Sequence, residues 1–132
     1  MSLSSRQLHS RSKTKLSGNG KRNILSRNKH RSEIGNYFSA TKFADSDELV
    51  DVRKRGGRVT KRLHTASVVN LLTGSGYKKA KIKSVLESPD NRNFARQALI
   101  TKGTIIETDM GKAVVLNRPG RDGTINARLL GS

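Results

Sequence analysis

Residues 48–87 read ELVDVRKRGGRVTKRLHTASVVNLLTGSGYKKAKIKSVLE, and this stretch decides the fold. Residues 48–55 and 58–71 flank Gly56-Gly57, a dipeptide that accepts positive φ at both central positions of a two-residue hairpin. Thr73-Gly74-Ser75-Gly76 then turns the chain into residues 79–87. If Val50 and Val52 face inward, alternation sends Asp51, Arg53 and Arg55 outward. Across the turn Val59, Leu63, Val69 and Leu71 share one parity, and Arg58, Arg62 and His64 share the other. The expectation is a hairpin with one apolar and one basic face. Lys61 falls on the apolar parity, which requires a bulge or an end that projects past the core. In residues 79–87, Ala80, Ile82 and Leu86 point one way and Lys79, Lys81 and Lys83 the other, the latter reading as a solvated face.

Downstream the same punctuation continues. Residues 88–91 form a loop, 91–96 hold one helical turn, and 98–101 are a short apolar piece. A strand follows at 104–108, Asp109-Met110-Gly111 reverses the chain into 112–117, and Pro119-Gly120-Arg121-Asp122-Gly123 separates that from 124–130. About six strands with no long helix predict an all-β fold, a small closed or partly closed β-barrel over residues 45–132. Closure also removes exposed strand edges.

Upstream, residues 1–44 read as a long, basic, irregular N-terminal extension. Leu8, Leu16, Ile24, Leu25 and Ile34 recur at no helical or strand period, and Gly18, Asn19, Gly20 and Gly35 interrupt them. The first 32 residues carry Arg6, Arg11, Lys13, Lys15, Lys21, Arg22, Arg27, Lys29 and Arg31 and no acid. With too little apolar area between them to bury a core, these cations need an anionic partner. Tyr37, Phe38 and Phe43 are three of the five aromatics and are expected to dock the extension onto the domain.

Overall charge narrows the partner. The chain has 27 Lys plus Arg against 10 Asp plus Glu, a net charge of +17 on 132 residues, which points to nucleic acid. A membrane is not expected: no apolar run approaches the roughly 20 residues of a spanning helix, and the arm lacks an apolar stripe. No secretory or myristoylation signal follows Met1, and without cysteine neither disulfides nor thiolate-bound metals hold the fold.

Residues for catalysis are scarce. His9, His30 and His64 have no metal-ligand spacing, and Gly18-Asn19-Gly20-Lys21 and Gly74-Ser75-Gly76 read as turns rather than phosphate loops. Glu107 and Asp109 sit where a metal nuclease could place ligands, but hairpin ends also collect acids for solubility. By contrast Arg53, Arg55, Arg58 and Arg62 cluster around one turn, favouring phosphate contact, with His64 as a further phosphate or base-edge donor.

Several motifs in the C-terminal half carry a resemblance. Lys79-Ala80-Lys81-Ile82, Asn93-Phe94-Ala95-Arg96, Ile100-Thr101-Lys102-Gly103-Thr104-Ile105-Ile106-Glu107-Thr108 and Asn117-Arg118-Pro119-Gly120-Arg121-Asp122-Gly123 follow in order. Together they resemble the archaeal form of the small-subunit ribosomal protein family S8e. Upstream, Arg53-Lys54-Arg55-Gly56-Gly57 resembles the family's Arg-x-Arg-Gly-Gly hairpin, and the basic N-terminal residues occupy the place of its arm. Where the eukaryotic form carries a long insertion, this chain has a tight hairpin over residues 107–117. The resemblance implies a compact β-barrel with a basic arm threaded into ribosomal RNA, located in the cytoplasm within the small ribosomal subunit. Its partners are then small-subunit rRNA and neighbouring ribosomal proteins, with no free homo-oligomer, no cofactor and no catalysis. The RNA contacts expected are the arm cations, then Arg53, Arg55, Arg58 and Arg62, then Lys102, Arg118 and Arg121 beside glycines that permit close approach. A free nucleic-acid-binding or ribosome-assembly module and a small metal-dependent nuclease are the alternative classes.

Overall fold

A computed structural model describes residues 14, 15, 17–24, 26, 27, 30, 33 and 38–131. The chain divides into two compact units, Met1–Phe38 and Ser39–Ser132. The second contains β1 (Lys42–Phe43), β2 (Glu48–Arg53), β3 (Val59–Ala66), β4 (Val68–Thr73), β5 (Gly76–Glu87), α1 (Arg92–Arg96), β6 (Ile105–Thr108), β7 (Gly111–Val115), α2 (Pro119–Asp122) and β8 (Asn126–Leu129).

Strands β4 to β8 close into a barrel, β8 returning to lie parallel to β4. The all-β barrel expected from turn spacing is present, and its closed part has five strands; β1, β3 and β2 form a separate three-stranded sheet. Five strands leave a narrow interior, and the inward residues fit it. Ala80, Ala113 and Ala127 alternate with Val69, Leu71, Ile82, Ile106 and Val115, all buried.

Residues 58–71 are not one strand. The chain changes sheet at Ser67, where Asp47 Oδ1 accepts from Ser67 N (2.6 Å), Ser67 Oγ (2.9 Å) and Val68 N (3.4 Å). That carboxylate satisfies backbone donors which leave the ladder at the corner. Residues 41–43, read from the sequence as the end of the extension, lie within the second unit and hydrogen bond to it on both sides. β1 runs parallel to β3, Phe43 N donates to Ala98 O (2.9 Å), and Ile100 N donates to Thr41 O (2.8 Å). A two-residue strand is too short to show a period.

The hairpin register overturns the expected division into an apolar and a basic face. Gly56 and Gly57 do turn the chain with φ of +76° and +78°. The connection, however, has three residues, Arg55–Gly57, closed by Lys54 N to Arg58 O (2.7 Å) and Gly57 N to Lys54 O (3.2 Å). The extra residue inverts the parity across the turn. Val50 and Val52 lie opposite Arg62 and Thr60, and Asp51 and Arg53 lie opposite Lys61 and Val59. Arg53 and Arg62 are therefore on different faces. Lys61 needs no bulge: the ladder is regular from Leu49 to Arg53, and the register shift falls between Glu48 and Leu49, leaving His64 as the extra residue. The end of the hairpin projects from the core, with Val59 55% exposed.

β5 coils from β4 as its first partner to β6 as its second, with register shifts between Ile82 and Ser84 and between Val85 and Glu87. Those irregularities turn Leu86 outward, 37% exposed, although strict alternation groups it with buried Ala80 and Ile82. The helical turn expected at residues 91–96 is α1, capped by Asn91 Oδ1 accepting from Asn93 N (2.9 Å).

In the first unit, Thr14 and Arg22 form an antiparallel bridge, and Lys15 N donates to Lys21 O (2.9 Å). Asn19 Oδ1 closes the turn between them by accepting from Ser17 Oγ (2.9 Å) and Lys21 N (3.0 Å). Glu33 takes both arms of the Arg27 guanidinium at 2.9 and 2.8 Å.

Candidate nucleic-acid interface

Strand direction brings the hairpin arginines, Lys102, Arg118 and Arg121 to one rim of the barrel. The starts of β4, β6 and β8 and the ends of β5 and β7 meet there. From this rim extend the β2–β3 hairpin, α1, the loop bearing Lys102, and α2. The opposite rim has the tight turns between β4 and β5 and between β6 and β7.

Lys102, Arg118 and Arg121 stand on loops fixed by hydrogen bonds. Lys102 tops a turn in which Thr101 N donates to Thr104 Oγ1 (3.0 Å) and Gly103 N to Val115 O (2.8 Å). Arg118 precedes α2, and its backbone N donates to Asp122 Oδ2 (3.1 Å). Asn117 locks the same loop, its Nδ2 donating to Thr124 O (2.7 Å) and its Oδ1 accepting from Asn126 N (2.9 Å). Pro119 is buried at the first helical position, and Gly123 ends the turn with φ +75°. Arg118, Lys102 and Arg121 are exposed above these anchors.

α2 lies against β3. A Cβ built on Gly123 lies 3.3 Å from Lys61 O, and one on Gly120 lies 2.6 Å from Ser39 Cβ. The Arg118–Arg121 turn and the hairpin are thus packed side by side, joining two sequence motifs 60 residues apart. Arg53, Arg55 and Arg58 are exposed at the hairpin tip. Arg62 is half-buried on the face shared with Val50. His64 does not join them as an outward donor through Nδ1, which is buried 3.4 Å from Glu48 Oε2.

In the arm unit, Lys15, Lys21 and Arg22 are exposed around the Asn19 turn. Arg27 is held by Glu33, whose hydrogen bonds raise the guanidinium above its ordinary pKa. Arg6, Arg11, Lys13, Lys29 and Arg31, with Tyr37, lie outside the described residues.

The carboxylates near the β6–β7 turn are engaged structurally. Glu107 Oε2 accepts from Ser84 Oγ (2.9 Å) and sits opposite Lys112, while Asp109 pairs with Lys83 at 3.6 Å. Among the described residues no three His, Asp or Glu side chains converge to hold a metal ion, and no helix is long and apolar enough to cross a membrane.

Comparison with known proteins places both units in one family. The family model for ribosomal protein S8e matches residues 8–130, which span the basic extension and the whole barrel. The chain belongs to the ribosomal protein S8e family. It is 47% identical over 106 residues to small ribosomal subunit protein eS8 of Sulfolobus acidocaldarius, covering 79% of this chain and 83% of that one. It is 41% identical over 113 residues to eS8 of Hyperthermus butylicus, covering 84% and 83%. Over 118 residues it is 41% identical to eS8 of Ignicoccus hospitalis, covering 88% and 90%.

The S8e barrel also presents cations that residue reading passed over. Arg92 and Arg96, at i and i+4 on α1, line an open groove of about 620 Å³ with Leu86, Pro89, Ala95 and Ile105. Their helical spacing was a usable signal. Lys54 and Lys61 add to the hairpin, and both are exposed.

Proposed function

We propose that this S8e chain is a structural constituent of the small ribosomal subunit, held there in the cytoplasm by binding ribosomal RNA and contacting neighbouring subunit proteins. The observation that carries this is the packing of α2 against β3, which joins Arg118 and Arg121 to the hairpin of Arg53, Arg55, Arg58 and Arg62 at the same rim as Lys102. Hydrogen-bonded strands and turns fix the backbone under these cations, so binding to separate phosphates costs side-chain but little backbone freedom. The Arg side chains bridge two phosphate oxygens with a planar fork, whereas Lys102 acts as a point charge. The second unit carries 18 Lys and Arg against nine acids, and the arm unit nine against one, so both contribute to neutralising the RNA.

The division of labour follows from composition: the extension binds, and the barrel both folds and binds. Salt titration of binding to purified small-subunit rRNA tests the reading. Several simultaneous phosphate contacts give a log–log slope steeper than roughly −4, because each neutralised phosphate contributes about −0.9 on duplex. Deleting residues 1–35 should preserve the cooperative melt and weaken binding by orders of magnitude. A slope near zero would refute the electrostatic mechanism, and a truncated chain that fails to fold would make the extension part of the core.

A further inference from the structure

On the barrel wall formed by β5, β4 and β8, we infer a stacking platform for an unpaired nucleotide of the RNA, with Tyr77 under the base and Lys79 and Arg128 at its phosphates. The inference rests on the RNA-binding reading above and adds to it a site remote from the basic rim.

The ladder registers place the residues. Tyr77 lies opposite Leu72, and Leu72 lies opposite Arg128, so these three form one row across three strands on the outer surface. The next row is Lys79, Asn70 and Asn126, and beyond it Lys81 faces Val68. Their strand neighbours Val69, Leu71, Ala80 and Ala127 are buried inside the barrel, which fixes the outward direction of both rows.

Tyr77 is 71% exposed, an unusual state for an aromatic ring in a strand. Leu72 beside it is half-buried, and Asn70 Nδ2 donates to Asn126 Oδ1 (3.1 Å), tying β4 to β8 in the next row. No carboxylate stands in either row; Asp109 borders the platform, its backbone N donating to Lys81 O (3.2 Å) and its side chain turned to Lys83 at 3.6 Å, in a groove it lines with Lys79 and Lys81. An exposed ring bordered by Lys79, Lys81 and Arg128 complements an anionic, aromatic partner, which is a nucleotide. A protein neighbour would more commonly meet such cations with acids, and unpaired bases have the π-face that the ring lacks a partner for.

The chain has two tyrosines and no tryptophan, so Tyr37→Phe leaves Tyr77 as the sole emitter. Titrating that full-length variant with a 12-nucleotide oligoadenylate should quench Tyr77 emission saturably. Tyr77→Ala should weaken binding roughly tenfold without changing the salt slope, since stacking releases no counterions, while Tyr77→Phe should retain affinity. Lys79→Gln and Arg128→Gln should each flatten the slope by about 0.7. Absence of quenching together with wild-type affinity of Tyr77→Ala would overturn the platform and leave the wall to a protein neighbour. If steep salt-dependent binding to small-subunit rRNA persists in that case, the platform alone has failed; if the wild-type chain binds neither RNA, the RNA-binding reading falls with it.

Discussion

Gly120 is the position where sequence, packing and the Arg118–Arg121 loop meet, and Gly120→Ala tests all three. A Cβ there would lie 2.6 Å from Ser39 Cβ and 2.9 Å from Ser39 Oγ, about 1 Å inside the ordinary carbon contact distance of roughly 3.5–4.0 Å. Ser39 cannot swing away easily, because its Cβ is fixed to the backbone and its Oγ donates to Gly120 O (3.2 Å). α2 is held in turn by its buried Pro119 and by the bonds of Asn117 to Thr124 O and of Arg118 N to Asp122. Overpacking of this kind costs about 1–3 kcal/mol. Replacing glycine inside a helix returns somewhat under 1 kcal/mol. A net loss of about 1–2 kcal/mol corresponds to a fall in Tm of roughly 5–15 °C for a unit of this size. Thermal melts of the wild type, Gly120→Ala, Ser39→Gly and the double variant form a cycle, in which Ser39→Gly should relieve much of the alanine's cost. A higher Tm for Gly120→Ala, or strict additivity in the cycle, would refute the close contact. Displaced Arg118 and Arg121 should also weaken RNA binding.

Two further outcomes follow from the geometry. Because the chain has no native cysteine, Asp51→Cys with Lys61→Cys should oxidise readily to an intramolecular disulfide, whereas Asp51→Cys with Arg62→Cys should not; non-reducing electrophoresis distinguishes the observed three-residue turn from a two-residue one. Asn117→Ala should destabilise by about 1–3 kcal/mol in urea titration, since it leaves Asn126 N and Thr124 O without partners, and an unchanged midpoint would show that water replaces both bonds.

How much was legible depended on how local each signal is. Turn chemistry at Gly56-Gly57, at Thr73–Gly76 and at Gly111, and the α1 turn after Asn91, are set by a few adjacent residues, and all are found where the sequence indicates them. The pairing of hairpin faces was not legible, because one residue more in a loop reverses which side chains share a side. Leu86 was misplaced for a related reason: two register shifts within β5 are invisible to strict alternation. Of the proposed interface, the hairpin arginines were named from their clustering around one turn and Lys102, Arg118 and Arg121 as cations beside glycines, whereas Arg92 and Arg96 were passed over despite their helical spacing, and the groove they line forms only when α1 packs beside the end of β5.

Residue order by itself determined the unequal distribution of charge, the all-β character and the turns that delimit the strands, because these arise from single residues and their near neighbours. Tertiary structure alone decided that β4 meets β8 across 56 residues at Asn70 and Asn126, that the chain changes sheet at Ser67, and that Arg118 stands beside the β2–β3 hairpin. Those outcomes depend on register and closure, which balance the burial of a whole barrel interior and are encoded in no single stretch of the chain.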